Sequence, residues 1–230
     1  MEFLDNVGQN RLGDALASSI DEGAKLSIIS SYFTVFAYGE LKEELSQVDS
    51  VRFLFSEPTF VKQMSHDKDP REFEISQQSR ERSIGGIGLE LTLRNKINQR
   101  AIARACADWV RTKGDFRSAK VSGVIQPGGT YVVENPRGET HAFTGAVADF
   151  TQEGLGYERR PNAVTFVSHY EGTAETAGLK AMFDSVWDNP AMVADVTEEV
   201  AEQVGTLYRE NPPEFVYFLT LYHLFRDYLA

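Results

Sequence analysis

Residues 24–60, AKLSIISSYFTVFAYGELKEELSQVDSVRFLFSEPTF, decide the fold. Leu26, Ile28 and Ile29 form a short, nearly continuous apolar run, so 24–34 reads as a buried strand. FAYGELKEELSQV, 36–48, reads as a helix, and SVRFLFSEPTF, 50–60, as a second strand closed by Pro58. Strand, helix and strand at this spacing predict a βαβ unit with a parallel pair, because parallel strands need a crossover. Upstream, NRLGDALASSIDE, 10–22, spaces Leu12, Leu16 and Ile20 as a helix does, with Gly23 placed as its C′ residue. That helix is expected to cover one face of the sheet.

Downstream, residues 61–88 are polar without a clean period and read as a loop plus a charged helix, the expected mobile segment. The GGIG at 85–88 follows no strand, so it reads as a hinge or helix stop rather than a phosphate cradle. Leu89–Lys113 predicts a long helix with Leu93, Ile97, Ala101, Ala105 and Trp109 along one stripe. FRSAKVSGVI, 116–125, then predicts a strand. TYVVENPRGETHAFTGAV, 130–147, predicts a hairpin turning at Asn135-Pro136-Arg137-Gly138. NAVTFVSHY, 162–170, predicts another strand, and the remainder is helical: TAETAGLKAMFDSVWDNP, VTEEVAEQVGTLYRE and PPEFVYFLTLYHLFRDYLA. The last opens on Pro212 and Pro213, which suit a first turn, and is apolar almost all round. A helix so apolar is expected to pack against something, and the native chain is expected to continue beyond Ala230.

The 230 residues are 42% hydrophobic and 25% charged, the composition of an ordinary globular protein. No apolar run approaches the ~18 to 20 residues that span a bilayer. The acidic, amphipathic N-terminus lacks a signal-peptide pattern. Cys106 is the one cysteine, so it forms no disulfide within the chain and reads as a small buried hydrophobe. No membrane association and a cytoplasmic location are therefore expected. A formal net charge of −11 argues against a nucleic-acid glove over the whole surface. The charge is uneven, however. Residues 94–120 hold eight bases and two acids, net +6, whereas 171–230 hold three bases and eleven acids, net −8. Any DNA or RNA would dock on the middle third, along Arg94, Lys96, Arg100, Arg104 and Arg111.

The four histidines are His66, His141, His169 and His223, and neither they nor Cys106 stand at metal-ligand spacing. Neither a nucleophile elbow, a P-loop nor a dinucleotide loop is present in the sequence. No metal or cofactor is expected.

LSIISSYFTVFAYGELKEEL, VRFLFSEPTF, the strand-hairpin, GAVADFTQEGLG (145–156) and NAVTFV (162–167) together resemble the phospholipase D-like domain. The likeness is to the version at the N-terminus of bacterial Swi/Snf-type or DEAD-box-type helicases, many linked to restriction and phage defence. PPEFVYFLTLYHLF is similar to the segment joining that domain to the motor. The resemblance implies an α/β/α sandwich with a mixed sheet over residues 1–190. It also implies a helical extension, 191–230, leading to a helicase motor in the parent chain, and often a homodimer with the active site at the interface. In active members one strand carries His-x-Lys with a Tyr shortly after, a turn reads Gly-Ser-Ser-Asn-Phe-Thr, and a later strand carries Asn-x-Glu. Histidine attacks phosphorus, a second histidine protonates the leaving oxygen, and lysine and the polar groups hold the phosphoryl oxygens.

This sequence departs at those points. Gln126 stands near the nucleophile's position and Gly128 or Gly129 near the lysine's, although Tyr131 matches the tyrosine. The turn Gly145–Thr151 is one residue longer, has lost both serines and holds Asp149 in place of asparagine. Asn162 is kept, but Val164 replaces the glutamate. Glutamine does not form the phospho-enzyme, and the added carboxylate repels phosphate. The expectation is a catalytically inactive module serving dimerisation, partner docking or nucleic-acid positioning. The alternative is a phosphodiesterase or nuclease with a rearranged site using His141 and Asp149, and a third reading is a subunit that docks through its C-terminal helix.

Overall fold

The computed structural model describes residues 1–8, 10–58, 96–125, 128–158 and 165–206, with the backbone alone for 96–100 and 206. The polar segment 61–88, Arg94, Gln126, Asn162, Val164 and the helix from Pro212 lie outside the described residues. In chain order the elements are β1 (Glu2–Leu4), α1 (Leu12–Ser19), β2 (Lys25–Ser30), α2 (Val35–Glu40), α3 (Lys42–Gln47) and β3 (Ser50–Phe55). They continue as α4 (Lys96–Lys113), β4 (Gly114–Ala119), β5 (Gly129–Glu134), β6 (Thr140–Gly145), β7 (Val167–Glu171), α5 (Ala174–Trp187), β8 (Val193–Asp195) and α6 (Thr197–Thr206).

Among the described residues the eight strands form one mixed sheet in the order β1-β7-β6-β5-β2-β3-β4-β8. The expected βαβ unit is present: β2 and β3 pair in parallel, Leu26 against Val51 and Ile28 against Phe53. Strand β4 continues the parallel set, while β5, β6, β7, β1 and β8 add antiparallel. The two-residue alternation of a strand splits the core in two. Leu26, Ile28, Val51, Phe53, Phe55, Phe116, Tyr131 and Phe143 face a main cluster with Leu12, Leu16, Leu41, Leu45, Val110 and Val200 of the helices. Ile29, Leu54 and Ala119 face a smaller cluster with Phe183 and Trp187 of α5. Helices thus cover both faces of an α/β fold.

Phe33, fully buried, sits where the main cluster is densest. Its ring stacks on Phe150 at 5.3 Å and meets Phe53 and Phe116 edge-on, each at 5.4 Å. Trp109 closes the group, and its indole N–H donates to the Leu45 carbonyl at 2.9 Å. On the other face α5 is held by charge as much as by apolar contact. The Arg52 guanidinium donates to Ser27 Oγ at 2.9 Å, pairs with Asp184 at 2.8 Å and lies 4.8 Å over the Phe183 ring. Arg117 lies 4.2 Å over Trp187 and donates to the Trp187 carbonyl. Arg52→Ala is expected to lower stability by about 1–3 kcal/mol, since Asp184 would keep a partly buried charge without this partner. A urea midpoint that does not move would show that the guanidinium holds nothing.

Several expectations are corrected. The first helix spans 12–19 rather than 10–22. Ile20 leaves the helix in an extended conformation and is buried, and the Asp21 N–H donates to Asn135 Oδ1, so a tertiary contact ends α1. Gly23 is therefore no C′ residue; at φ +81 it turns the chain and donates to the Gln47 carbonyl. The helix at 36–48 is two, broken at the fully buried Leu41, whose backbone (φ −109, ψ 17) leaves the helical region. In α4 the buried residues are Ala103, Cys106, Ala107, Trp109 and Val110; of the expected stripe Trp109 is buried, Ala105 is half-buried against the core and Ala101 is exposed. The strand expected over 116–125 ends at Ala119, and that expected over 162–170 begins at Val167. Residues 191–206, expected in the extension, supply the eighth strand and a core helix: β8 pairs with β4, and Val196, Val200 and Val204 join the main cluster. Among the described residues no helix is long and apolar enough to cross a membrane.

Candidate functional site

Strand direction changes between β2 and β5, and ligand crevices in open α/β sheets lie outside the carboxyl ends of the parallel strands. That end of β2 delivers Ser30 and Ser31, and that end of β3 delivers Ser56. The β5–β6 register sets Gly129 opposite Gly145, so the start of β5 and the turn after β6 meet there too. This is the corner that holds the expected phosphate-handling turn.

Its polar groups are spent on the protein. Asp149, half-buried, accepts from the Ser31 N–H at 2.8 Å and from Ser30 Oγ at 2.9 Å. Ser30 Oγ in turn accepts the Phe150 N–H at 2.9 Å, and Ser31 Oγ and Ser56 Oγ share a buried hydrogen bond of 2.8 Å. One carboxylate and one hydroxyl thereby tie the end of β2 to the turn, while Phe33 and Phe150 bridge beneath them. A half-buried carboxylate needs such donors.

Tyr131 reaches the same corner from below. It is fully buried, and its hydroxyl donates to the Ala148 carbonyl at 2.7 Å. Burial first, then the nearby charge of Asp149, pushes its phenol well above the usual tyrosine range. The phenol stays protonated and acts as an anchor for the turn. At Gly128 and Gly129 backbone meets backbone. A Cβ at Gly129 would lie 1.6 Å from the Ala148 carbonyl oxygen, and one at Gly128, whose φ is +132, would lie 3.0 Å from the Gly145 oxygen. Beyond the turn a Cβ at Gly154 would meet the Asp149 oxygen at 2.1 Å, so the loop 149–156 is wound tightly on itself.

His141 lies elsewhere. It pairs with Val133 and Glu171 near the hairpin end of β6, four residues from Gly145, or roughly 13 Å at about 3.3 Å per residue. His141 and Asp149 are not brought together. Its neighbour is His169, with Nδ1 and Nε2 3.4 Å apart. Among the described residues no group of three or more His, Cys, Asp or Glu is arranged to hold a metal ion.

The basic run divides. Lys96 and Arg100 lie in the first turns of α4, and Arg104 is exposed and makes no ion pair among the described residues. Arg111 pairs with Glu198 of the acidic α6 at 3.3 Å, and Lys113 donates to the Val48 carbonyl at 2.7 Å. Arg117 and Lys120 donate to the carbonyls of Trp187 and Pro190, Arg117 from the opposite face of the sheet. The surplus of +6 read along the chain is not one surface, since Arg111, Lys113, Arg117 and Lys120 are engaged by different parts of the fold.

Sequence reasoning missed Ser30, Ser31 and Ser56, although paired serines closing an apolar run at a parallel strand end are a visible signal. It also missed His169 as the partner of His141, which only the β6–β7 register reveals. No protein-family model matches the chain, and no curated protein matches it.

Proposed function

We propose that the chain is a catalytically inactive phospholipase D-like module of a larger bacterial helicase or restriction-type defence protein. Its role is dimerisation, partner docking or positioning of nucleic acid. The observation that carries the inactive reading is the sealed corner: Gly129 packs its backbone on Ala148, and Asp149 is held by Ser30 and Ser31. A mixed sheet with helices on both faces supports the family likeness, and the wording of the motifs supplies the rest. The alternative with His141 and Asp149 acting on one phosphate finds no support in their placement at different ends of β6.

Positioning of nucleic acid rests on Lys96, Arg100 and Arg104. In a gel-shift at low salt, DNA or RNA is expected to bind weakly and without sequence preference. Arg100→Glu with Arg104→Glu should weaken that binding for every sequence alike and make its salt slope shallower. Full retention of binding by the double variant would remove α4 as the interface. No binding by the unaltered chain would leave the dimer and partner-docking roles alone.

A further inference from the structure

We propose that the His141–His169 contact is a pH-sensitive clamp across β6 and β7, the strand that carries β1, closed while the two imidazoles share a hydrogen bond and opened on acidification. The rings meet edge to edge, with Nδ1 of His141 3.4 Å from Nε2 of His169 and centroids 5.6 Å apart. One ring must donate and the other accept, which two imidazolium ions do not do. His169 is pinned in that position: it stacks on Phe143 at 4.3 Å and stands opposite Glu2 in the β1–β7 register, with the Glu2 carboxylate 3.8 Å from its Nδ1.

Among the described residues, the titratable groups acting on His169 are His141 on β6, Glu2 on β1 and Glu171 on its own strand. Arg11, just before α1, and Asp14 of that helix over β6 pair with each other, and Lys180 of α5 on the opposite face is engaged by Asp184 and Glu134. Burial, then His141, lowers the affinity of His169 for a proton below that of an ordinary imidazole; Glu2 and Glu171 pull the other way and are outweighed. The opened state binds the proton more readily. The clamp's contribution is therefore present above the ordinary value of 6.5 and is lost as pH falls through the lower folded value.

The clamp is linked to the corner through Asn6, just beyond β1. The Asn6 side chain donates to the Gly154 carbonyl at 3.0 Å and accepts the Leu12 N–H at 2.7 Å. Opening β1 withdraws the brace from the loop 149–156 and from the start of α1.

Amide hydrogen exchange of the whole chain at pH 7.5 and 5.0, corrected for intrinsic exchange, tests this. Protection of residues 2–8 and 167–171 is expected to fall severalfold at pH 5.0, while β2 and β3 keep theirs. His169→Gln removes the buried imidazole, and that fall is expected to be absent; His141→Gln removes only its hydrogen-bond partner, and the fall is expected to shrink, because burial still acts on His169. If His169→Gln does not fold, His141→Gln carries the comparison. Unchanged protection in the unaltered chain, an equal loss in the glutamine variants, or His169 titrating by NMR at or above the ordinary imidazole value overturns the clamp.

Discussion

Gly129→Ala is expected to lower stability by more than about 3 kcal/mol or to abolish folding, the largest effect of any single methyl group added at the corner. The new Cβ would fall 1.6 Å from the Ala148 carbonyl oxygen and 2.3 Å from its carbon. Both are backbone atoms, so no rotamer change relieves the overlap. The Ala148 carbonyl also receives the Tyr131 hydroxyl, and the turn has no slack in that direction. Relief requires β5 to part from the turn, which breaks the Gly129–Gly145 register and exposes the buried phenol. Gly178→Ala in α5, where nothing lies within 4 Å, is the matched control; it is expected to stabilise by about 0.5–1 kcal/mol through helix propensity. Thermal and urea unfolding followed by circular dichroism separates the two. A Gly129→Ala protein as stable as the parent would mean that β5 is not sealed against the corner.

Phe33→Ala is the second change with a large expected effect, about 3–5 kcal/mol. Phe33 is the shared neighbour of Phe53, Phe116, Phe150 and Trp109, and its removal leaves a cavity that no single neighbour fills. Its backbone bridges to Phe150, and the Thr34 N–H donates to the Phe150 carbonyl at 3.1 Å. The loss should therefore loosen the corner as well as the core. Equilibrium unfolding gives the stability, and exchange at Asp149–Thr151 gives the loosening. Phe33→Leu, which keeps much of the volume, is expected to cost less than half as much. Equal losses for both would point to a role other than packing.

The parts of the fold that were legible in the sequence are those with local periodicity. Leu26, Ile28 and Ile29 mark β2, and the Asn135–Gly138 turn marks the β5–β6 hairpin, where the Asn135 and Glu139 backbones are hydrogen-bonded. Strands β1 and β8 have three residues each and carry no period to read; they exist because the sheet offers them partners in β7 and β4. The ends of α1 and the break at Leu41 are likewise set by distant contacts, Asp21 with Asn135 and Leu41 with the core. At the corner, the absence of serine from the turn Gly145–Thr151 was visible. The serines of β2 that engage Asp149 were not, because they stand about 120 residues away and only the β2–β5–β6 pairing brings them together. Charge shows the same limit. Arg104 and Arg117 count equally in a linear sum, yet the folded chain puts them on different faces of the sheet.

The central claim, that the polar groups of the corner are committed to the protein itself, is tested most directly by phosphodiester hydrolysis. The measurement is release of nitrophenolate from bis(p-nitrophenyl) phosphate, together with nicking of supercoiled plasmid, with and without EDTA and with added Mg²⁺ or Mn²⁺. The predicted result is a rate equal to buffer for the unaltered chain, for Asp149→Ala and for His141→Ala. Turnover by the unaltered chain that either substitution removes would contradict it.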